Sequence, residues 1–587
     1  MKKVLRSRML IFMFVVITIS TQWSFVFGQV QTNQKIEVGG LMQVNADNGL
    51  DGVDVTVLES DSMHTVLKFE VGKFTMDKID IDNLDYNKIN CEGTSLDDEL
   101  GAPELPRICR SITIPFSSEA DISVVSAVYS DYENTPIIPS KGSITRDINP
   151  EDVPYTFGKI YKSDAFYPRN LASISDPFIM RELKGATVTI NPFQYQPSTK
   201  TLRVYTSVTV EVTTGGKFNS NMLKSNSRST LTKEFEEVYK NFFINYNDKN
   251  QYRALTSKEK GEMLIISYDQ FLNAMEPFVQ WKNSKGIRTT IVGRSSVSPN
   301  NNPKEIKNYI QNYYNKNPNL VYVLLVGDYA QISSPKYSTG VSDPEYTKVA
   351  GNDDYPDIFV GRFSAESIED VKTQVQRTLD FEKNGYNMAD WYKKGVGIAS
   401  DEGSNISDAE HMDNIRKKLL DFDYTKVDRI YDPYASASSV TSSLNQGRGI
   451  INYCGHGAQT YWVTTRFSNS DVAALQNQGH LPFIISVSCV SGKFHTGTCF
   501  AEAWLRSKNN NGEPIGAIGT YMSTVNQPWI PPMVGQDAIV DLLCNKTRIS
   551  FGGLCYTGAS KMLDNGTSSD ILTFNTWTVF GDPSIQL

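Results

Sequence analysis

The chain is 587 residues long, so a single hydrophobic core is excluded and roughly three or four folding units are expected. Its composition, 40% hydrophobic and 21% charged, is ordinary for a globular protein. A net charge of −8 argues against nucleic acid as the main partner, because gripping phosphates needs a basic surface.

The N-terminus, "MKKVLRSRMLIFMFVVITISTQWSFVFGQV", places Lys2, Lys3, Arg6 and Arg8 before an apolar run at 9–19. This is the pattern of a secretory signal peptide over 1–28, with Val26 and Gly28 preceding a cut at Gln29, and the run is too short for a membrane span. No later run is long enough to cross a bilayer, so an exported, extracellular chain with no membrane span is expected. In such a chain the seven cysteines, at 91, 109, 454, 489, 499, 544 and 555, leave at least one thiol unpaired.

Residues 29–215 read as all-β. In "KTLRVYTSVTVEVTT" (200–214), Leu202, Val204, Val208, Val210 and Val212 share one face and Arg203, Tyr205, Thr209 and Glu211 the other, the period of a half-buried strand. Residues 216–260 turn polar, broken by the short helical piece "KEFEEVYKNFF", and read as an exposed linker of the kind proteases cut.

From Glu262 short apolar runs alternate with helical stretches. The strand candidates are "EMLIIS", "IRTTIV", "LVYVLLVG", "GVGIAS", "GIINYC", "LPFIISVSC" and "PIGAIGTYM"; helices are expected at "NPKEIKNYIQNYYNK", "IEDVKTQVQRTLDFEKN" and "CFAEAWLRSK". This alternation favours a parallel sheet with helices on both faces, whose ligands bind beyond the carboxyl ends of the strands. Four of the runs end in chemistry: at Asp328, at Asp401 and Glu402, at His456 and at Cys489. Parallel strands would gather all four tips on one edge.

A cysteine nucleophile needs a base, and the base needs an orienting partner. Cys489 and His456 end neighbouring candidate strands, and Glu402 is the carboxylate candidate. The glycines flanking His456 permit a tight turn and a close substrate, and the N–H groups of Gly457 and Cys489 suit an oxyanion. A structural histidine in a glycine turn beside a core cysteine fits the same spacing. Metal-protease, phosphate-loop and serine-elbow motifs are absent from the sequence, and His411 in "SDAEHMDNIRKK" reads as structural.

The stretches "NYCGHGAQTYW" and "PFIISVSCVSGKF", with Cys489 33 residues after His456, resemble the gingipain family of cysteine peptidases in the caspase-like clan, above all its arginine-specific branch. "YVLLVGD", "VAGNDDYPDIFVGRFSAES", "NQPWIPPMVGQD" and "TWTVFGDPS" extend the likeness, and "PSKGSITRDINPEDVPYTFGKIY" resembles the family's prodomain. The resemblance implies an α/β caspase-like catalytic domain, a mostly parallel sheet flanked by helices in two subdomains (254–391 and 392–587), preceded by an all-β inhibitory prodomain over 29–253. It implies a secreted cysteine endopeptidase made as a zymogen, acting on proteins and peptides through a thioester acyl-enzyme. Cys489 is then the nucleophile, His456 the base and acid, Glu402 its orienting carboxylate, and Gly457 an oxyanion donor.

The same resemblance puts Asp408 at the floor of the S1 pocket, with Trp529 and Met533 as walls, and so implies cleavage after arginine. A buried aspartate offers a bidentate partner to a guanidinium, and a tryptophan face adds cation–π attraction. Only "GSNIS" separates Glu402 from Asp408, shorter than the family pattern, which leaves lysine acceptance and an N-cap role for Asp408 open. A structural Ca²⁺ is implied at Asp328, Asp353 and Asp357 with the carbonyls of Ala350 and Tyr355, and no organic cofactor. Arg146 in "SITRDINP" would enter the S1 pocket as a pseudo-substrate, and maturation would follow Arg253, with Arg228 a second cut. Family members continue past "GDPS" into further domains, whereas this sequence stops at Leu587. A transpeptidase with the same Cys/His pair, and a catalytically silent binding protein, are the readings from other classes.

Overall fold

The computed structural model describes residues 35–38, 41–44, 50, 52–116, 118–215, 230–246, 255–256, 260–384, 389–403, 406–545 and 549–587. The expected signal peptide and the processing sites Arg228 and Arg253 lie outside the described residues.

The N-terminal region is built of antiparallel strands. One five-stranded sheet contains Val53–Ser60, His64–Val71, Glu119–Tyr132, Phe193–Gln196 and Thr201–Gly215; a second contains Ser95–Leu96, Pro106–Ile114, Ala172–Ile174, Phe178–Met180 and Leu183–Ile190. The face of Thr201–Gly215 expected from its alternation is the buried one: Leu202, Val204, Val208, Val210 and Val212 pack with Ile108, Ile112 and Val188 of the second sheet. Each such aliphatic side chain contributes about 1.5–3 kcal/mol when buried.

The stretch expected to be an exposed linker is not exposed over 231–246. Helix α1 (Lys233–Phe242), capped by Thr232, buries Phe235, Val238, Tyr239 and Phe242 in the main core cluster. Its apolar spacing gives one continuous stripe, and that stripe has a partner: Phe235 stacks on Phe359 with centroids 5.0 Å apart.

The C-terminal region is one ten-stranded sheet. In chain order the strands are β1 (Glu262–Ser267), β2 (Arg288–Gly293), β3 (Leu320–Val326), β4 (Phe359–Phe363), β5 (Lys394–Ala399), β6 (Lys426–Tyr431), β7 (Ile450–Cys454), β8 (Phe483–Val487), β9 (Gly519–Ser523) and β10 (Trp577–Phe580). They lie in the order β2-β1-β3-β4-β10-β9-β8-β7-β5-β6. All seven runs expected to be strands are strands. Met263 and Ile265 of β1 face one core cluster, and Leu264 and Ile266 face another. Burial on both faces is why these runs are continuously apolar.

Every neighbouring pair is parallel except β9 and β10, which are antiparallel. The sheet is therefore two parallel halves running in opposite directions, and this corrects the expectation that four strand tips share one edge. The carboxyl ends of β5, β7 and β8 gather Glu402, His456 and Cys489. Asp328, after β3, belongs to the opposite edge. The amino ends of β3 and β4, in turn, lie on the same edge as Cys489. Among the described residues no helix is long and apolar enough to cross a membrane.

Candidate active site

Strands β7 and β8 pair with Cys454 opposite Val487. Two residues further on each chain stand His456 and Cys489, so the register brings them to the same level of neighbouring strands. The turn at residue 457 fits so closely that a Cβ there would lie 2.4 Å from the Cys489 carbonyl oxygen and 2.9 Å from its nitrogen. Only glycine fits, and the fit brings residue 457 against the Cys489 main chain. Nε2 of His456 lies 2.5 Å from Glu402 Oε2, with the side chains 22% and 30% exposed. That contact engages Nε2, one of the two ring nitrogens.

The loop that carries Cys489 is tightly held. Ser488 N–H donates to Gln527 Oε1 at 2.9 Å, and the hydroxyls of Ser486, Ser488 and Ser491 form a buried chain with 2.8 Å steps, anchored by Trp462 Nε1–H on Ser486. Val490, directly after Cys489, has φ of 46°, a left-handed conformation that a β-branched residue adopts only when its surroundings impose it. Burial pushes the Cys489 thiol up to about 12. All seven cysteines are free.

The N-terminal region stands beside that thiol through Arg146 and Asp147. The segment around Arg146 is held in the cleft by an isolated antiparallel bridge, Thr145 to Pro528, and then turns: Arg146 N–H donates to Gln527 O at 2.7 Å, Ile144 O accepts from Trp529 N–H at 3.0 Å, and Ile148 N–H donates to Thr145 O at 3.0 Å. The Arg146 guanidinium fills the pocket beside it, where both it and Asp408 are 0% exposed. Nη1 donates to Asp408 Oδ1 at 3.1 Å and Oδ2 at 3.0 Å, Nη2 donates to Trp529 O at 3.2 Å, and Cζ stands 4.3 Å from the centre of the Trp529 ring. Burial alone would lower the guanidinium's affinity for its proton, and Asp408 more than reverses this.

This is not the two-nitrogen fork expected from a buried aspartate. Both carboxylate oxygens meet a single nitrogen, because their flanks are taken. Ser400 Oγ–H donates to Oδ2 at 2.7 Å and the Cys454 thiol to Oδ1 at 3.1 Å. Burial raises Cys454 well above a free thiol and keeps it a donor. The cap of helix α2 (Asp408–Phe422) is Ser407, whose side chain accepts from Glu410 N–H, so Asp408 is free for the pocket. The short loop ties pocket to dyad directly: Asp408 N–H donates to Glu402 O at 2.8 Å.

Trp529 precedes helix α3 (Ile530–Cys544), and Met533 is buried in its first turn. His411 is structural: 1% exposed, it lies 3.0 Å from Gln536 Oε1. Sequence reasoning missed Ser400, Cys454 and Gln527. The first two stand at carboxyl ends of strands, the position that marks such sites; Gln527 carries no such signal.

The five calcium candidates do not fit one ion. The register of β3 on β4 separates Asp328 from Asp357 by eight residue levels, about 25 Å at 3.3 Å each. Asp328 instead accepts from Tyr329 N–H at 2.6 Å and faces Arg506. Ala350, Asp353, Tyr355 and Asp357 share one loop, but amides engage its carboxylates. Asp353 Oδ2 accepts from Ile179 N–H at 2.8 Å, and Asp357 accepts from Arg181, Val349 and Ala350 N–H groups. Burial and the neighbouring Asp353 push the Asp357 carboxyl up to about 8.

Comparison with known proteins agrees with this geometry. Peptidase family C25 matches residues 256–587, and the C25 propeptide matches residues 45–248. Gingipain R2 of Porphyromonas gingivalis is 38% identical over 506 residues, covering 84% of this chain and 68% of the relative. Gingipain R1 of the same organism is also 38% identical, with 84% of this chain matching 50% of its length. The crystal structure of the Arg specific cysteine proteinase gingipain R superposes with a TM-score of 0.55 at 37% identity, covering 57% of this chain and 80% of that one. The complex of Porphyromonas gingivalis RgpB pro- and mature domains gives 0.54 at 37% identity, over 56% and 80%. With its β-rich region matched as propeptide and its ten-stranded region as peptidase, the chain belongs to peptidase family C25.

Proposed function

We propose that the chain is the zymogen of an exported cysteine endopeptidase that cleaves proteins after arginine. The observation that carries this reading is Arg146 itself: an arginine of the propeptide lies in the cleft with a substrate's main-chain bonds, its guanidinium on Asp408 and Trp529. The names of the gingipain R relatives support the same preference. His456 takes the Cys489 proton, and the thiolate attacks the carbonyl carbon after the P1 arginine, forming the C–S bond. N–H groups of Gly457 and Cys489 receive the oxyanion. The C–N bond then breaks as His456 returns the proton to the leaving amine, and water hydrolyses the thioester.

Glu402 orients His456 through its contact with Nε2. Maturation after Arg253 would sever the propeptide from the peptidase, and the basic and apolar N-terminus supports export. The calcium reading is not carried forward on the five residues it began from. Digestion of a peptide library by the processed chain, with Cys489→Ala as control, tests the function. Cuts after arginine that vanish in the variant are expected; no cuts, or cuts that survive it, would overturn the reading.

A further inference from the structure

Arg146 has a counterpart. Arg181 sits in the turn joining Phe178–Met180 to Leu183–Ile190, with φ of 56°, a left-handed backbone conformation unfavourable for a long side chain. The turn is pressed against the amino ends of β3 and β4. Two of its amides cross to the peptidase: Ile179 N–H to Asp353 at 2.8 Å and Arg181 N–H to Asp357 Oδ1 at 2.6 Å.

The Arg181 guanidinium then enters a cup of main-chain carbonyls. Nη2 donates to Pro318 O at 2.6 Å, and Nη1 to Asp357 O at 3.1 Å and to Leu320 O. Nε is held by Glu182 Oε1 at 2.6 Å, the rings of Phe235 and Tyr314 lie 4.6 and 5.6 Å from Cζ, and the residue is 1% exposed. Every guanidinium nitrogen has an acceptor here, whereas Arg146 Nε, in the S1 pocket, has none among the described residues. A strained turn, two amides on two carboxylates and a fully satisfied buried guanidinium converge on one place.

We infer that the peptidase carries a second guanidinium-binding site, at the amino ends of β3 and β4, and that this site retains the propeptide independently of the S1 pocket. Its ligand is an arginine presented from a tight turn. The inference rests on the zymogen reading above. The two sites lie on the same sheet edge, roughly 20 Å apart at about 4.8 Å per strand. A substrate arginine competes with Arg146 for the S1 pocket but does not reach the second cup. While Arg181 stays seated, Arg146 rebinds as a tethered ligand at high effective concentration. Cutting the chain therefore does not by itself empty the cleft.

The test uses the full chain with Cys489→Ala and a recognition sequence for an unrelated protease inserted within 247–254. After that protease cuts, the sample is diluted and the propeptide's departure is followed by sizing. In the parent the two parts co-migrate. Arg181→Ala is expected to speed departure at least tenfold. Arg181→Lys, which keeps the charge but not the fork, is expected to fall between, and it serves if the alanine variant does not fold. Departure of both variants at the parent's rate would overturn the inference. The readout needs no peptidase activity. A chain that holds its propeptide through Arg181 yet never cleaves after arginine would sink the proposed function alone.

Discussion

The sharpest consequence of the pocket concerns Asp408→Asn. The substitution keeps the size of the side chain and an oxygen for Ser400 or Cys454, so the fold should persist. What it removes is the counter-charge of a guanidinium that is wholly buried: in this structure both groups are 0% exposed and joined by contacts of 3.0 and 3.1 Å. Leaving one member of a buried pair alone costs about 3–5 kcal/mol. At about 1.4 kcal/mol per tenfold, that is a loss of roughly 150- to 4,000-fold in kcat/KM for a P1-arginine peptide. The assay compares arginine with citrulline at P1, a neutral group of the same shape, after counting active sites by alkylation of Cys489. The processed parent should prefer arginine strongly, and the variant should scarcely distinguish the two. A loss below tenfold with the preference intact would refute the argument, since Asp408 would then not be the group that reads the charge.

Two further outcomes follow from the same contacts. Arg146→Ala in a chain held uncut by Arg253→Ala should raise hydrolysis of a small arginine peptide at least tenfold; a variant as silent as its uncut parent would show that Arg146 does not block the pocket. Glu402→Gln removes a charge-assisted bond to His456 from a partly exposed site. At about 1.5–3 kcal/mol it should lower kcat about 10- to 100-fold with KM little changed, and a variant with parental kcat would deny Glu402 its orienting role.

Seven of the ten strands of the large sheet could be read from the sequence because their signal is local. Strands buried on both faces are continuously apolar, and glycines mark the turn at His456. Three strands escaped. Lys426–Tyr431 is an edge strand with polar outward residues, Trp577–Phe580 is only four residues long, and Phe359–Phe363 was hidden inside a loop motif. The sense of β10 was beyond the sequence too: a short run returning from the far end of the chain carries no mark of which neighbour it will oppose. That one antiparallel pairing sends Asp328 to the edge away from Cys489. The calcium set is broken up separately, because Asp328 follows β3 whereas Asp357 precedes its parallel neighbour β4. The single-nitrogen reading of arginine was likewise illegible, because it depends on Ser400 and Cys454 reaching Asp408 from two other strands. Helix α1 was seen as a helix but not as buried, since its partner surface includes Phe359, more than a hundred residues away.

The propeptide presents an arginine in the manner of a substrate, yet the bond after it must survive. The structure supplies a chemical reason. Burial is the first cause of the raised Cys489 thiol, and the Asp147 carboxylate nearby adds to it. At a value of about 12, only about one thiol in ten thousand is thiolate at pH 8, against roughly a quarter for an ordinary cysteine at 8.5. Recognition and chemistry are thus opposed in the zymogen: the segment that satisfies the pocket also stands against the buried Cys489 thiol. Alkylation of the uncut chain by iodoacetamide should accordingly be at least a hundredfold slower at pH 8 than that of the processed enzyme, and should keep rising with pH beyond 10. Because burial outranks Asp147 among the causes, Asp147→Asn in the uncut chain should shift that profile far less than removing the propeptide does. If Asp147→Asn alone restored ordinary alkylation, the thiol would be restrained by charge rather than by burial, and the account of latency would have to be rebuilt around that carboxylate.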